Sequence, residues 1–309
     1  MDENSISINN RALGKKKKKE KKERIWEIDF IRSIPIILVM LYHLCYYFFD
    51  IPPGIFSNYY DLETKYPAYM SFIDFCRDDI FYNPLILKFF EPFFAGVFLF
   101  VCGISCSLSR SNLRRGILLG SFAVILSVGT YFASEFTGIN MFIVFGVIHV
   151  MAFSILVYYL LELFFKLVFK KQVPAILSLA IGIGVLVFGI IAKNFLGWQS
   201  TLPYRSYLKN IHNIALGINA GGADYFPIFP NLGTIFCGIA VGKVLYGKNK
   251  KSLVPSLYCK AFSPLCFMGR HTLWFYFLST PIFIGLIIGA MLIMGYKIDL
   301  EALLWKKRY

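Results

Sequence analysis

The chain has 309 residues, of which 57% are hydrophobic and 16% charged, and its mean hydropathy is +0.60. Soluble domains carry about 25% charged residues, so a water-soluble domain is excluded and a single bundle of spanning helices is the simplest fold. The net charge of +14 does not point to nucleic acid, because about six of those charges fall in the run from Lys15 to Arg24, next to the first apolar segment. Such a run suits a cytoplasmic anchor held by anionic lipid headgroups.

Residues 1–23 are polar and lysine-rich, and are expected to be a disordered cytoplasmic tail. No signal peptide is read here, since the apolar segment is too long and no small-residue cleavage site follows. The membrane-embedded domain is expected over 24–296. It opens with RIWEIDFIRSIPIILVMLYHLCYYFFD (24–50). From Phe30 to Phe49 this stretch has the roughly 20 residues a helix needs to cross a bilayer. Asp29, Arg32, His43 and Asp50 are its polar residues. At about 100° per residue they fall within roughly 60° of one another, on one stripe. His43 lies roughly 21 Å along the axis from Asp29 at about 1.5 Å per residue. Polar groups inside a span are costly and ask for a reason.

Residues 51–87, with Pro52, Pro53, Pro67 and Pro84, read as a long loop holding a short interfacial helix near Met70–Phe81. A second span fits 87–108 and ends at Arg110, Arg114 and Arg115. A third fits 117–132 and, past Glu135, a fourth fits 141–164, closed by Lys166, Lys170 and Lys171. The fifth is 174–191. A second long loop, 193–225, carries Trp198, Tyr204, Tyr207, His212 and Asp224. The sixth span, 226–246, ends in Lys248, Lys250 and Lys251, and the seventh runs from about Gly269 to Gly295. A short basic tail, 297–309, follows. The expected fold is all-α, a polytopic membrane bundle of about seven helices.

With a cytoplasmic N-terminus, the inner segments hold 22 of the 32 basic residues, the two long outer loops six and the tail four. That asymmetry satisfies the positive-inside rule and suits a multi-pass protein of the plasma (inner) membrane. The tail is the exception, because seven spans leave it outside. A broken or re-entrant segment around Pro281 would return it. The seven cysteines show no metal or redox spacing and read as small apolar fillers. No two histidines lie at ligand spacing, so no metal is expected.

The polar residues sort into two tiers. Near the inner face lie Asp29, Arg32, Arg110, Arg114, Arg115, Lys243 and Arg270. Nearer the outer face lie His43, Asp50, Glu91, His149 and Asp224, with both histidines roughly 10–12 Å below the surface at about 1.5 Å per residue. Inner Arg and Lys could hold a phosphorylated donor by charge-assisted hydrogen bonds, or could simply be topology signals. An outer His with a carboxylate could take a proton from a hydroxyl or amine. His, Asp and Arg on facing spans are also what a proton-coupled transporter of a polar solute needs, although no internal repeat of the usual transporter kind is visible.

The first stretch, with its Glu-x-Asp-x-x-Arg head, apolar run and His43 followed by Asp50, resembles the opening signature of the heparan-α-glucosaminide N-acetyltransferase catalytic family. FVCGISCSLS (100–109), FGVIHVMAFS (145–154), DYFPIFPNLGTIFCGIAVGKVLY (224–246) and GRHTLWFYFLSTP (269–281) are similar to its later motifs in order and spacing. The resemblance, over roughly 24–285, implies a membrane acyltransferase. It would take acetyl from cytoplasmic acetyl-CoA (acyl-CoA), a co-substrate, and pass it to an extracytoplasmic glycan or glycolipid. His43 would be the reactive imidazole, with Asp50 or another acid orienting it and Asp29 and Arg32 organising the inner half of the site. His149, Asp224, Arg270, His271 and Glu91 would line the substrate site, and the inner-tier Arg110, Arg114, Arg115 and Lys243 are the candidates for holding the donor. A homodimer is an open arrangement. Two departures stand out: Ser33 replaces the usual glycine, and Ser279-Thr280 stands where the family commonly has His-Gln. The second leaves room for an inactive relative.

Overall fold

The computed structural model describes residues 25–56, 61–137, 140–247 and 251–299. The expected tail 1–23, Lys248, Lys250 and residues 300–309 lie outside them. Along the chain come α1 (Trp26–Ile55), α2 (Asp61–Lys65) and α3 (Pro67–Asp74), which continues as π-helical turns through Phe81. A second π segment, Ile86–Phe90, leads into α4 (Glu91–Leu108), followed by α5 (Asn112–Thr137), α6 (Val147–Val168) and α7 (Ala175–Phe195). The loop beyond α7 holds the two-residue strands β1 (Ser200–Thr201) and β2 (Asn219–Ala220), paired in parallel, with α8 (Ile211–Leu216) between them. The chain then forms α9 (Ile228–Tyr246), α10 (Ser263–Arg270) and α11 (Thr272–Ile293). Among the described residues, seven helices are long and apolar enough to cross a membrane: α1, α4 with its lead-in, α5, α6, α7, α9 and α11.

The core is built around α9. Leu99 and Cys106 of α4, Ile148, Ile155 and Tyr158 of α6, and Ile235, Phe236 and Ile239 of α9 are buried together. Glycine lets the helices meet at backbone distance, as membrane helices do where lipid supplies no hydrophobic drive. A side chain on Gly103 would collide with the Ile235 carbonyl, and one on Gly238 with the Phe100 carbonyl, so α4 and α9 touch through main chain.

Helices α1 and α11 run side by side in one direction. Tyr47 and Thr280 share a hydrogen bond of 3.0 Å, and one turn earlier the rings of His43 and Tyr276 meet. Beyond them, Phe56 bridges to Ile298 and the Asp299 N–H donates to the Ile55 carbonyl at 2.8 Å. The chain up to residue 299 therefore ends at the Phe56 end of the bundle, opposite Asp29. Pro281 does not return it, because α11 continues through Pro281 and the break falls instead at His271, between α10 and α11.

The fourth span also differs from expectation. Residues 141–146 are as apolar as the helix that follows, yet they are non-helical, and α6 starts only at Val147. Irregular backbone at membrane depth must be satisfied by protein, and α5 does this with a hydroxyl ladder. The Met141 N–H donates to Ser134 Oγ (2.9 Å), the Ile143 N–H to Thr130 Oγ1 (3.1 Å), and Ser127 Oγ donates to the Ile143 carbonyl (2.7 Å). From the other side, the N–H groups of Ala223 and Phe226 donate to the carbonyls of Phe142 and Phe145.

Candidate active site

The residues of the first motif are spent on two tasks. Glu27, buried at the start of α1, accepts from Ser252 Oγ and from the Leu253 N–H, both at 2.8 Å. It fastens the connection after α9. Asp29 and Arg32, one helical turn apart, face α10. The Asp29 main chain lies against Gly269 so closely that no side chain would fit there. That contact places Arg270 Nε 3.4 Å from Asp29 Oδ2, while Arg32 Nη1 is 3.9 Å from Asp29 Oδ1 and donates to the Gly269 carbonyl at 3.3 Å. Arg32 Nη2 also donates to Ser105 Oγ on α4. Arg115 Nη1 donates to the Ser105 carbonyl at 3.0 Å. One carboxylate and three guanidinium groups thus gather at one end of the bundle. The carboxylate of Asp29 is 14% exposed and Arg32 18%, against 36% for Arg270. Arg270 is the open member, at the mouth. Nearby, burial raises the Cys266 thiol above its ordinary range, so it stays protonated.

From this cluster a cavity of about 660 Å³ extends into the bundle. Arg32, Arg115, Arg270 and His271 line it, with Cys102 and Ser105 of α4 alongside. Val147, Ile148, Met151 and Tyr276 line its apolar part, and Phe122 of α5 packs edge-on against Trp274 of α11 beside it. His43 does not line this space. It lies behind Tyr276, with ring centroids 6.4 Å apart, and Tyr47 covers it at 6.1 Å. Tyr276 Oη donates to Asp224 Oδ2 at 2.6 Å, and the same oxygen accepts the Val147 N–H, the first of α6, at 3.2 Å.

The remaining expected residues separate. Asp50 lies beside the Tyr46 hydroxyl, one turn back on α1. The acid joined to the surroundings of His43 through another side chain is Asp224. His149 sits in the first turn of α6, not eight residues into it. Its Nδ1 accepts the Gly146 N–H (3.2 Å) and its Nε2 meets Ser127 Oγ (3.0 Å). Both ring nitrogens are occupied in holding the 141–146 segment. Arg110 and Arg114 are exposed and away from the cavity lining. Lys243 turns from it, donating to the Val173 carbonyl at 2.5 Å and lying 5.1 Å over the Tyr158 ring. Glu91 opens α4, and its side chain lies outside the described set. His212 is exposed. The loop aromatics are packed: Tyr207 is buried, Trp198 sits against Phe188 and Phe229, and Tyr225 Oη donates to the Asn219 carbonyl. Tyr276 and Ser105 carried no charge signal in the sequence, and their place in the site emerges only from the packing.

A profile described as heparan-alpha-glucosaminide N-acetyltransferase, catalytic, matches residues 66–281, well over half of the chain. The chain belongs to this family. No curated protein and no solved structure gives a significant match. As a member of an N-acetyltransferase family it is a multi-pass membrane protein of enzymatic type, and the matched stretch contains the cavity wall from Phe98 to Tyr276. It begins after α1, so Asp29, Arg32 and His43 stand on their geometry and on the likeness of the first motif. Where that family commonly has His-Gln before Pro281, Ser279 is buried and donates to the Tyr276 carbonyl at 2.9 Å, and Thr280 bonds Tyr47.

Proposed function

We propose that the protein moves an acetyl group from acyl-CoA, entering at the Asp29 end, to a hydroxyl or amine of a glycan at the other end. The observation that carries this reading is the 660 Å³ cavity, charged at its mouth and apolar at the depth where His43 lies behind Tyr276. Family membership supports acetyl transfer. The positive-inside asymmetry supports a cytoplasmic Asp29 end in a plasma membrane.

In this reading Arg115 and Arg270 bind the donor's phosphates, because guanidinium offers paired donors to phosphate oxygens. Arg32, already held by Asp29, Gly269 and Ser105, fixes the shape of that end. In direct transfer His43 takes the proton of the attacking hydroxyl or amine as its oxygen or nitrogen bonds the acetyl carbonyl carbon, the carbon–sulfur bond of the thioester breaks, and the imidazolium returns that proton to the leaving thiolate. A direct transfer and an acyl-histidine intermediate fit equally well. Asp50 lies beside Tyr46, whereas Asp224 holds Tyr276, the ring against His43. Water exclusion by the apolar walls protects the thioester.

The test is purified protein in sealed vesicles with labelled acetyl-CoA on one side and cell-envelope glycans on the other. Label on the glycan is the expected result. Counterflow of a solute with no label would favour a transporter. Intact donor and unlabelled glycan would favour a silent relative, the reading that Ser279-Thr280 suggests.

A further inference from the structure

We propose that Tyr276 is a gate between the cavity and His43, latched by Asp224. The cavity is lined by Tyr276 and not by His43, and the two rings are in contact across the α1–α11 seam. Any group advancing from the arginine end toward the imidazole therefore meets the phenol ring first. The ring is not held by apolar packing alone. Its hydroxyl donates at 2.6 Å to a carboxylate on a different element, the loop before α9. That carboxylate is itself tethered by the Val147 N–H, and Asp224 adopts a φ of +50°, a backbone region that non-glycine residues seldom occupy. A hydrogen bond to a charged acceptor is stronger than a neutral one, yet it is a single bond that a rotating side chain can release. Closed, the ring separates the imidazole from the donor space. Open, it joins them, while the Asp224 oxygen keeps the Val147 N–H. Tyr276 is thus a positioning residue, acting through access to His43. In its use the gate rests on the acyl-transfer reading, but its existence does not.

The experiment measures the reaction of each histidine with diethyl pyrocarbonate, resolved by peptide mass spectrometry, in wild type, Tyr276→Phe and Tyr276→Ala. Tyr276→Phe keeps the ring and removes the latch. It should raise the rate at His43 by about tenfold, the equilibrium shift that losing one hydrogen bond to a charged group produces. Tyr276→Ala removes the ring and should raise it further, while exposed His212 reacts alike in all three. Equal rates at His43 in the three proteins would overturn the gate. If Tyr276→Ala fails to fold, Tyr276→Phe decides alone. Repeating the reaction with CoA present separates the two ideas. Protection of His43 supports both, whereas acceleration without protection leaves the gate standing and removes CoA from the cavity.

Discussion

His43→Ala is expected to lower acetyl transfer by about 10²–10⁴-fold, the usual contribution of a general base, while CoA binding and folding persist. The separation follows from place. His43 is outside the cavity lining and has no hydrogen-bond partner among the described residues, only the rings of Tyr42, Tyr47 and Tyr276. Truncating it breaks no polar network, in contrast to His149, whose two nitrogens hold the start of α6. Transfer kinetics and CoA binding on the purified variant check this. An unchanged rate would remove His43 from the chemistry and leave its burial in a spanning helix unexplained.

The second large effect concerns the donor. Arg115→Ala combined with Arg270→Ala should raise the KM for acyl-CoA by roughly 10²-fold, taking about tenfold for each charge-assisted hydrogen bond lost. Because both side chains lie at the mouth, remote from His43, they hold donor and transition state alike, so kcat should change little. Arg32 is excluded from this pair on purpose. Its removal would leave Asp29 with one cation fewer and the Gly269 carbonyl and Ser105 without its donors, and a fall in stability would confound the measurement. Steady-state kinetics with varied acyl-CoA check the prediction. A drop in kcat at unchanged KM would place these arginines nearer the reacting carbonyl than the cavity suggests.

The spans were legible because hydrocarbon demands long apolar runs, and all seven expected segments correspond to helices. Their ends were legible only where charge marks them, as at Arg110 or Lys166. Residues 141–146 look helical because hydropathy cannot tell a lipid-facing helix from a non-helical segment held by hydroxyls. The hint was Ser127, Thr130 and Ser134, spaced along one face of α5. The break at His271 was invisible beside the louder signal of Pro281, since a proline can sit within a spanning helix when its neighbours satisfy the freed carbonyl.

The inner cluster was readable from Asp29, Arg32, Arg115 and Arg270, as charge near lipid is conspicuous. Which basic residues join it was not: Lys243 and Arg114 carry the same signal, yet one bonds Val173 and the other faces out. Tyr276 carries no such signal, because a tyrosine within WFYF looks like any apolar filler. Its meaning depends on Asp224, 52 residues earlier in the chain.

A structure of the protein with bound acetyl-CoA decides between these outcomes. The phosphates are expected at Arg115 and Arg270 and the thioester at the apolar end of the cavity, against Tyr276 with His43 behind it. A donor bound elsewhere, or a thioester turned away from Tyr276, would contradict this placement.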